Sequence, residues 1–283
     1  MMVQNKIFSA NKTLHVNGRL LDLSTPKVMG ILNITPDSFY PDSRAELSDV
    51  IAKAGAMLQE GADILDIGGY SSRPGAADIP ESEELKRVVP AIEAVRKSFP
   101  DAILSIDTFR SSVAQAAVYA GAAMINDITG GEADPDMFAA VARCQVPYVL
   151  MHMRGTPQTM NQLTHYEDLM RELIDYFHAR LERLKQEGVK DVIIDPGFGF
   201  AKTAAQNFRL LGQLEQLRIL EKPVLVGLSR KSMIWRTLQT TPEHALNGTS
   251  VLNTIALTKG ISILRVHDVK AAREAVSLTS QLY

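Results

Sequence analysis

Eight short β-rich runs alternate with helical stretches along the whole chain, and no other feature constrains its fold as much. They are KVMGILNI (27–34), ADILDIG (62–68), AILSIDT (102–108), AAMINDI (122–128), PYVLMHM (147–153), DVIIDPG (191–197), PVLVGLS (223–229) and SILRVHD (262–268). Most are continuously apolar, not alternating, the pattern of parallel strands covered on both faces. Between them, Thr108 reads as the cap of a helix running to Gly121, and Gly61 closes the helix through DVIAKAGAMLQE. Asp134-Pro135 and Thr241-Pro242 each set a capping residue before a proline at the first helical position. Ahead of the first run, TLHVNGRLLDL carries Asn17-Gly18 between alternating residues and predicts a β-hairpin. Eight β/α units in 283 residues fit an α/β fold of the (β/α)₈ TIM-barrel type, with residues 1–26 as an N-terminal hairpin extension. The alternative is an open doubly wound sheet, but no Gly-x-Gly-x-x-Gly follows the first strand. No linker or low-complexity tract divides the chain, so a single domain is expected over residues 1–283.

The net charge of −2 supplies no electrostatic reason to bind nucleic acid or an anionic membrane. A lone cysteine, Cys144, excludes disulfides and thiolate zinc clusters; within VARC it reads as a small helical hydrophobe. The start, MMVQNKIFSANKT, has no long apolar segment, and no run approaches the roughly 18 apolar residues of a spanning helix. A cytoplasmic protein is expected.

Barrel chemistry gathers at the C-terminal ends of the strands. Read in order, those ends are Asn33, Asp66, Asp107, Asn126 with Asp127, His152, Asp195, Ser229 with Arg230, and Arg265 with His267. Eight polar ends around one rim predict a pocket that a ligand completes. Asp107, Asn126 and Asp195 offer acceptors and one amide, which suits a flat, nitrogen-rich heterocycle with several N–H donors. Arg265, His267, Arg73 and Lys231 suit phosphate oxygens, and Lys231 opens a predicted helix whose free N–H groups also favour anions. Asn33 is suited to a hard cation such as Mg²⁺ alongside phosphate. Competing readings make Asp66 and Asp127 turn or cap residues, His152 a core histidine, and Arg230 and Arg265 structural ion-pair partners. The glycines of DPGFGF then only shape a loop. His152, His165 and His178 do not sit at metal-ligand spacing. The residues alone therefore reach a phosphate-substrate barrel enzyme.

Taken with their neighbours, the strand ends resemble the dihydropteroate synthases, folate-pathway enzymes inhibited by sulfonamides. The likeness runs from about residue 27 onward, through GILNITPDSF (30–39), DILDIGGYSSRPGA (63–76), SIDT (105–108), INDITGG (125–131), LMHMRGTPQTM (150–160), DPGFGF (195–200), SRKS (229–232) and RVHDV (265–269). It implies transfer of a pterinylmethyl group: 6-hydroxymethyl-7,8-dihydropterin diphosphate and p-aminobenzoate give 7,8-dihydropteroate and pyrophosphate by an SN1-like route. Carried over, Asp107, Asn126, Asp195 and Lys231 match pterin contacts, and Gly227 a close backbone approach. Asn33, Arg73, Arg265 and His267 match the holders of diphosphate and Mg²⁺, with Asp107, Lys231, Arg265 and His267 implied as the catalytic set. Phe200, Ser229, Ser232, Phe39 and Ser72 would frame p-aminobenzoate. The family is commonly homodimeric, and the helices from about Thr241 onward are candidates for that interface. Two loops depart from the family pattern: Tyr40-Pro41 stands where glycines usually follow Phe39, and Ser72 where threonine is common. A methyltetrahydrofolate-dependent methyltransferase and a non-catalytic pterin-binding protein are the rival expectations. Neither needs the Ser-Arg-Lys and Arg-Val-His-Asp set retained here.

Overall fold

The computed structural model describes residues 12–34, 44–71 and 78–282. It opens with the expected hairpin, β1 (Thr13–Val16) and β2 (Arg19–Asp22), antiparallel in register. Asn17 and Gly18 both have positive φ, 50° and 73°, which matches the right-handed twist of a two-residue hairpin turn.

The eight runs then form β3 (Lys27–Asn33), β4 (Ile64–Gly68), β5 (Ile103–Asp107), β6 (Met124–Asp127), β7 (Tyr148–Met151), β8 (Val192–Asp195), β9 (Leu225–Val226) and β10 (Ile263–Val266). All pair in parallel, in the order β8-β7-β6-β5-β4-β3-β10-β9. A bridge between Ile194 and Val224 closes the ring, with Ile194 N–H donating to Pro223 O at 2.9 Å. Helices return between the strands: α1 (Arg44–Gln59), α2 (Glu81–Ser98), α3 (Ser111–Tyr119), α4 (Met137–Cys144), α5 (Leu169–Gln186), α6 (Ala204–Gly212), α7 (Ser232–Thr237), α8 (Leu246–Thr258) and α9 (Val269–Thr279). This is the expected (β/α)₈ barrel with an N-terminal hairpin. Among the described residues no helix is long and apolar enough to cross a membrane.

Strand residues alternate between two apolar layers. Leu65 and Ile67, Leu104 and Ile106, and Val192 and Ile194 face outward into the core shared with the helices. Met29, Ile64, Met124, Val149, Ile193, Leu225 and Ile263 face inward, where Leu14, Val16 and Leu23 of the hairpin region join them. The hairpin thus stoppers the N-terminal end of the barrel, anchored by His15 N–H to the Asp191 carboxylate at 3.0 Å.

Two helix starts differ from expectation. Thr108 is buried and accepts from Arg110 N–H; α3 starts at Ser111, whose N–H is taken by the Asp134 carboxylate at 2.7 Å. Asp134 therefore caps the preceding helix across space with Oδ2, while its Oδ1 accepts from Asp136 N–H at 3.0 Å just ahead of α4. Thr241-Pro242 opens only a single 3₁₀ turn, Pro242–His244, with no side-chain cap, and α8 begins beyond it.

Candidate active site

Alternation decides which polar strand ends reach the barrel mouth. Two residues beyond the inward apolar layer come Ile31, Asp66, Ser105, Asn126, Met151, Asp195, Gly227 and Arg265; two further come Asn33, Gly68, Asp107, Ser229 and His267. One pocket is lined by Asn126, Asp195, Phe200, Gly227, Ser229, Lys231, Arg265 and His267, with Ile31, Ile128 and Met151 as its apolar surface. Register sets Asn33 beside Gly68, Gly68 beside Asp107, and Asp107 beside Asn126. A Cβ added to Gly68 would touch both neighbours, 3.4 Å from Asp107 Cβ and 3.6 Å from Asn33 Oδ1. Ser232 opens α7 but is exposed and off the pocket wall. Phe39, Tyr40-Pro41, Ser72 and Arg73 lie outside the described residues.

Residues of the opposite parity do other work. Asp127 accepts from Thr129 N–H and Oγ1, Gly131 N–H and Tyr148 O–H, all at 2.7–2.8 Å, and is a turn residue. Arg230 forms a bidentate pair with Asp268, at 2.9 and 2.7 Å, outside the pocket. His152 is buried with its ring edge against Tyr176, 4.6 Å between centroids.

The turn reading fails for Asp66. It is fully buried and accepts from Arg265 Nε at 2.6 Å and Asn126 Nδ2 at 2.9 Å. Arg265 Nη2 also donates to Asp107 Oδ2 at 2.5 Å, so one guanidinium spans two carboxylates. Burial opposes the Arg265 cation, but Asp66 and Asp107 outweigh it and raise its pKa above the ordinary value. Burial pushes the Asp107 carboxyl up to about 7 against the pull of Arg265, with Asp66 adding to the rise. The ion-pair reading of Arg265 therefore holds alongside its place in the pocket wall. Sequence carried a signal for Asp66: it shares the inward parity of Asp107 and Asp195.

Opposite them, Asp195 is held by Gly197 N–H at 2.8 Å, and burial raises its pKa against the pull of Lys231. Lys231 Nζ donates to Phe198 O and lies 4.6 Å from the centre of the Phe200 ring. Burial lowers the Lys231 pKa to about 8, with Asp195 opposing. Lys231 thus sits with the acceptor Asp195, and the two chemical zones interleave: Arg265 is bonded to the acceptors as well. Ser229 Oγ lies 3.0 Å from His267 Nδ1 and accepts from His267 N–H at 3.2 Å. Acceptors and cations converging on one concave surface suit a ligand that is an N–H-rich ring at one end and an anion at the other.

Known proteins resemble the chain in sequence and fold. The family model described as "Pterin binding enzyme" matches residues 29–267. The dihydropteroate synthase of Synechocystis sp. is 45% identical over 260 residues, 90% of each chain. The Yersinia pestis dihydropteroate synthase solved with a sulfonamide drug superposes with a TM-score of 0.90 at 42% identity, covering 95% of this chain and 98% of that one. The Xanthomonas albilineans enzyme with 4-aminobenzoic acid gives 0.88 at 40%, covering 96% and 98%. The chain belongs to the pterin-binding enzyme family, among the dihydropteroate synthases of folate biosynthesis.

Proposed function

We propose that this pocket joins 6-hydroxymethyl-7,8-dihydropterin diphosphate to p-aminobenzoate. The C–O bond to the diphosphate breaks, the aniline nitrogen forms the new C–N bond and gives up a proton to solvent, and pyrophosphate leaves. The observation that carries this reading is that Asn126, Asp195, Lys231 and Arg265 line one pocket, and that Arg265 is bonded in turn to Asp66 and Asp107. Asp107, Asn126 and Asp195 accept the ring N–H groups and favour positive charge on the ring as the C–O bond lengthens. Arg265 and His267, with Arg73 expected from the second loop, stabilise the departing anion. Lys231 steadies the ring beside Asp195. Phe200 and Ser229 are proposed to frame p-aminobenzoate, with Ser232, Phe39 and Ser72 carried only by the family likeness. The aniline needs no dedicated base, so the protein contributes position and charge.

Mg²⁺ fits as a partner of the diphosphate. Among the described residues no group of three His, Cys, Asp or Glu could hold a metal alone. Asn33, half-buried at the barrel mouth, would add one hard oxygen to those of the ligand. Bound there, the ion would supply charge neutralisation for pyrophosphate.

The decisive experiment is pyrophosphate release from dihydropterin diphosphate with Mg²⁺, with and without p-aminobenzoate. Release matched one-to-one by dihydropteroate, stopped by chelation and competed by a sulfonamide, is the expected result. Bound pterin with no stimulated release would instead indicate a binding protein.

Homodimer formation is proposed through the last helices. Val251 and Ile255, one turn apart on α8, are exposed, as is Leu278 on α9. Val251 and Ile255 together give α8 an apolar strip that a second copy of the chain would cover. Sedimentation is expected to give roughly twice the 31.1 kDa chain mass, and Val251→Lys with Ile255→Lys to return it to the monomer value.

A further inference from the structure

The loop after β8 is bent by left-handed backbone at Gly197 (φ 69°), Gly199 (φ 79°) and Ala201 (φ 49°). Glycine adopts such conformations freely and alanine does not, so tertiary contacts must hold this curvature. The residue that ends the loop is Lys202, buried to 7% exposure. Its ammonium turns back across its own loop: Nζ donates to Gly197 O and Phe200 O, each at 3.1 Å, and meets His152 Nδ1 at 2.9 Å. Among the described residues no carboxylate forms an ion pair with it. Burial pushes the Lys202 pKa down to about 7, with Asp195 opposing. Burial likewise lowers that of His152, as do the cations of Lys202, Arg154 and Arg180. A neutral imidazole leaves Nδ1 free to accept. His152 N–H in turn donates to Asp195 O at 2.9 Å, tying the end of β7 to the end of β8.

The loop held in this way puts Phe200 in the pocket wall and supports two other lining residues, Asp195 and Lys231. Phe198 O receives Lys231 Nζ, the Phe200 ring lies against the same nitrogen, and Gly197 N–H holds the Asp195 carboxylate. An apolar side chain could fill the space of Lys202 without the cost of burying a cation. The buried amino group of Lys202 differs in one respect: it makes three directed hydrogen bonds, and so sets where the two carbonyls stand.

We propose that Lys202 is a positioning residue, whose bonds to Gly197 O, Phe200 O and His152 set the shape of the 196–202 loop and thereby hold Phe200 and Lys231 in the substrate pocket. It touches neither substrate, and the proposal takes its substrates from the function argued above. Lys202→Met keeps the length and volume but removes every donor. The variant is expected to raise KM for p-aminobenzoate about ten-fold, the equivalent of one lost hydrogen bond in the wall, while kcat changes by less than about three-fold. Its pterin Kd by calorimetry is expected to rise about three-fold or more through Lys231. A role in fold support alone would lower the melting temperature and the active fraction with KM and Kd unchanged, and that result overturns the proposal.

If Lys202→Met does not fold, His152→Leu removes the Nδ1 acceptor along with the ring that packs on Tyr176, and the same rise in KM is expected with recovery in His152→Asn, which also loses the ring but whose amide oxygen replaces Nδ1. An unchanged KM in His152→Leu would also overturn it. Should the wild-type protein show no p-aminobenzoate-dependent turnover, the functional reading fails separately. The ratio of variant to wild-type pterin Kd then decides on Lys202, and a ratio of one rejects it.

Discussion

Arg265→Ala is expected to destabilise the protein by about 3–5 kcal/mol and to lower kcat/KM by about 10³-fold. Its guanidinium answers two carboxylates at 2.6 and 2.5 Å, and Asp66 is fully buried with the Asn126 amide as its one other donor among the described residues. Removing the cation leaves one carboxylate fully buried and a second at the barrel mouth beside it, the situation in which breaking a buried pair costs most. Denaturant unfolding reads the stability loss through the midpoint at constant slope. Adding Asp66→Asn to the variant is expected to return part of the loss, because a neutral amide is cheaper to bury alone. Arg265→Lys restores the charge but not the fork, and a single ammonium cannot reproduce both contacts. It is expected to recover stability in part while kcat/KM stays about a hundred-fold low. An Arg265→Ala protein within about 1 kcal/mol of wild type would show that the Asp66–Arg265–Asp107 chain is not what holds the barrel mouth together.

Asp107→Asn is expected to weaken pterin binding by about ten- to hundred-fold, the range of a charge-assisted hydrogen bond against a neutral one. The pH dependence separates this effect from a general disturbance. Burial holds the Asp107 carboxyl at about 7 in the free protein, and only its ionised form accepts from a ring N–H without donating. Wild-type affinity should therefore rise as pH increases through about 7, and the rise should vanish in Asp107→Asn. Stability should move the other way. The native state keeps this proton up to about pH 7 while the unfolded chain releases it near the ordinary carboxyl value of about 4. Between those values the native state binds more protons, so the Asp107 contribution makes stability fall as pH rises. Asp107→Asn should flatten that slope. Isothermal titration at several pH values, paired with unfolding at the same values, measures both. A variant whose affinity keeps the wild-type pH profile would assign the titration to another group.

Much of the site was legible because period-two alternation along a buried strand is a simple code. In DILDIG the outward Leu65 and Ile67 pack on helices, while the inward face runs Ile64, Asp66, Gly68. Polar residues replace apolar ones on that inner face only near its C-terminal end. The same parity separates Asn126 from Asp127, Ser229 from Arg230, and Asp195 from the apolar Ile194. Reading strand ends without parity grouped Arg230 and His152 with the pocket residues, and left Asp66 between a turn and a ligand. Lys202 had no such signal, since it stands seven residues beyond the last residue of β8 and its partners are carbonyls and a histidine on another strand.

Residue order by itself determined the succession of eight β/α units, the Asn17-Gly18 hairpin, and the polar residues that end the strands. These depend on local backbone preference and on periodic burial, both carried within a few neighbouring residues. Tertiary structure alone decided the pairings. Arg265 meets Asp66 across 199 positions and Asp107 across 158, Lys202 meets His152 across 50, and Asp134 caps a helix 23 positions upstream. Such contacts depend on the stagger between strands as the sheet closes on itself, a property of the whole ring and of no single segment.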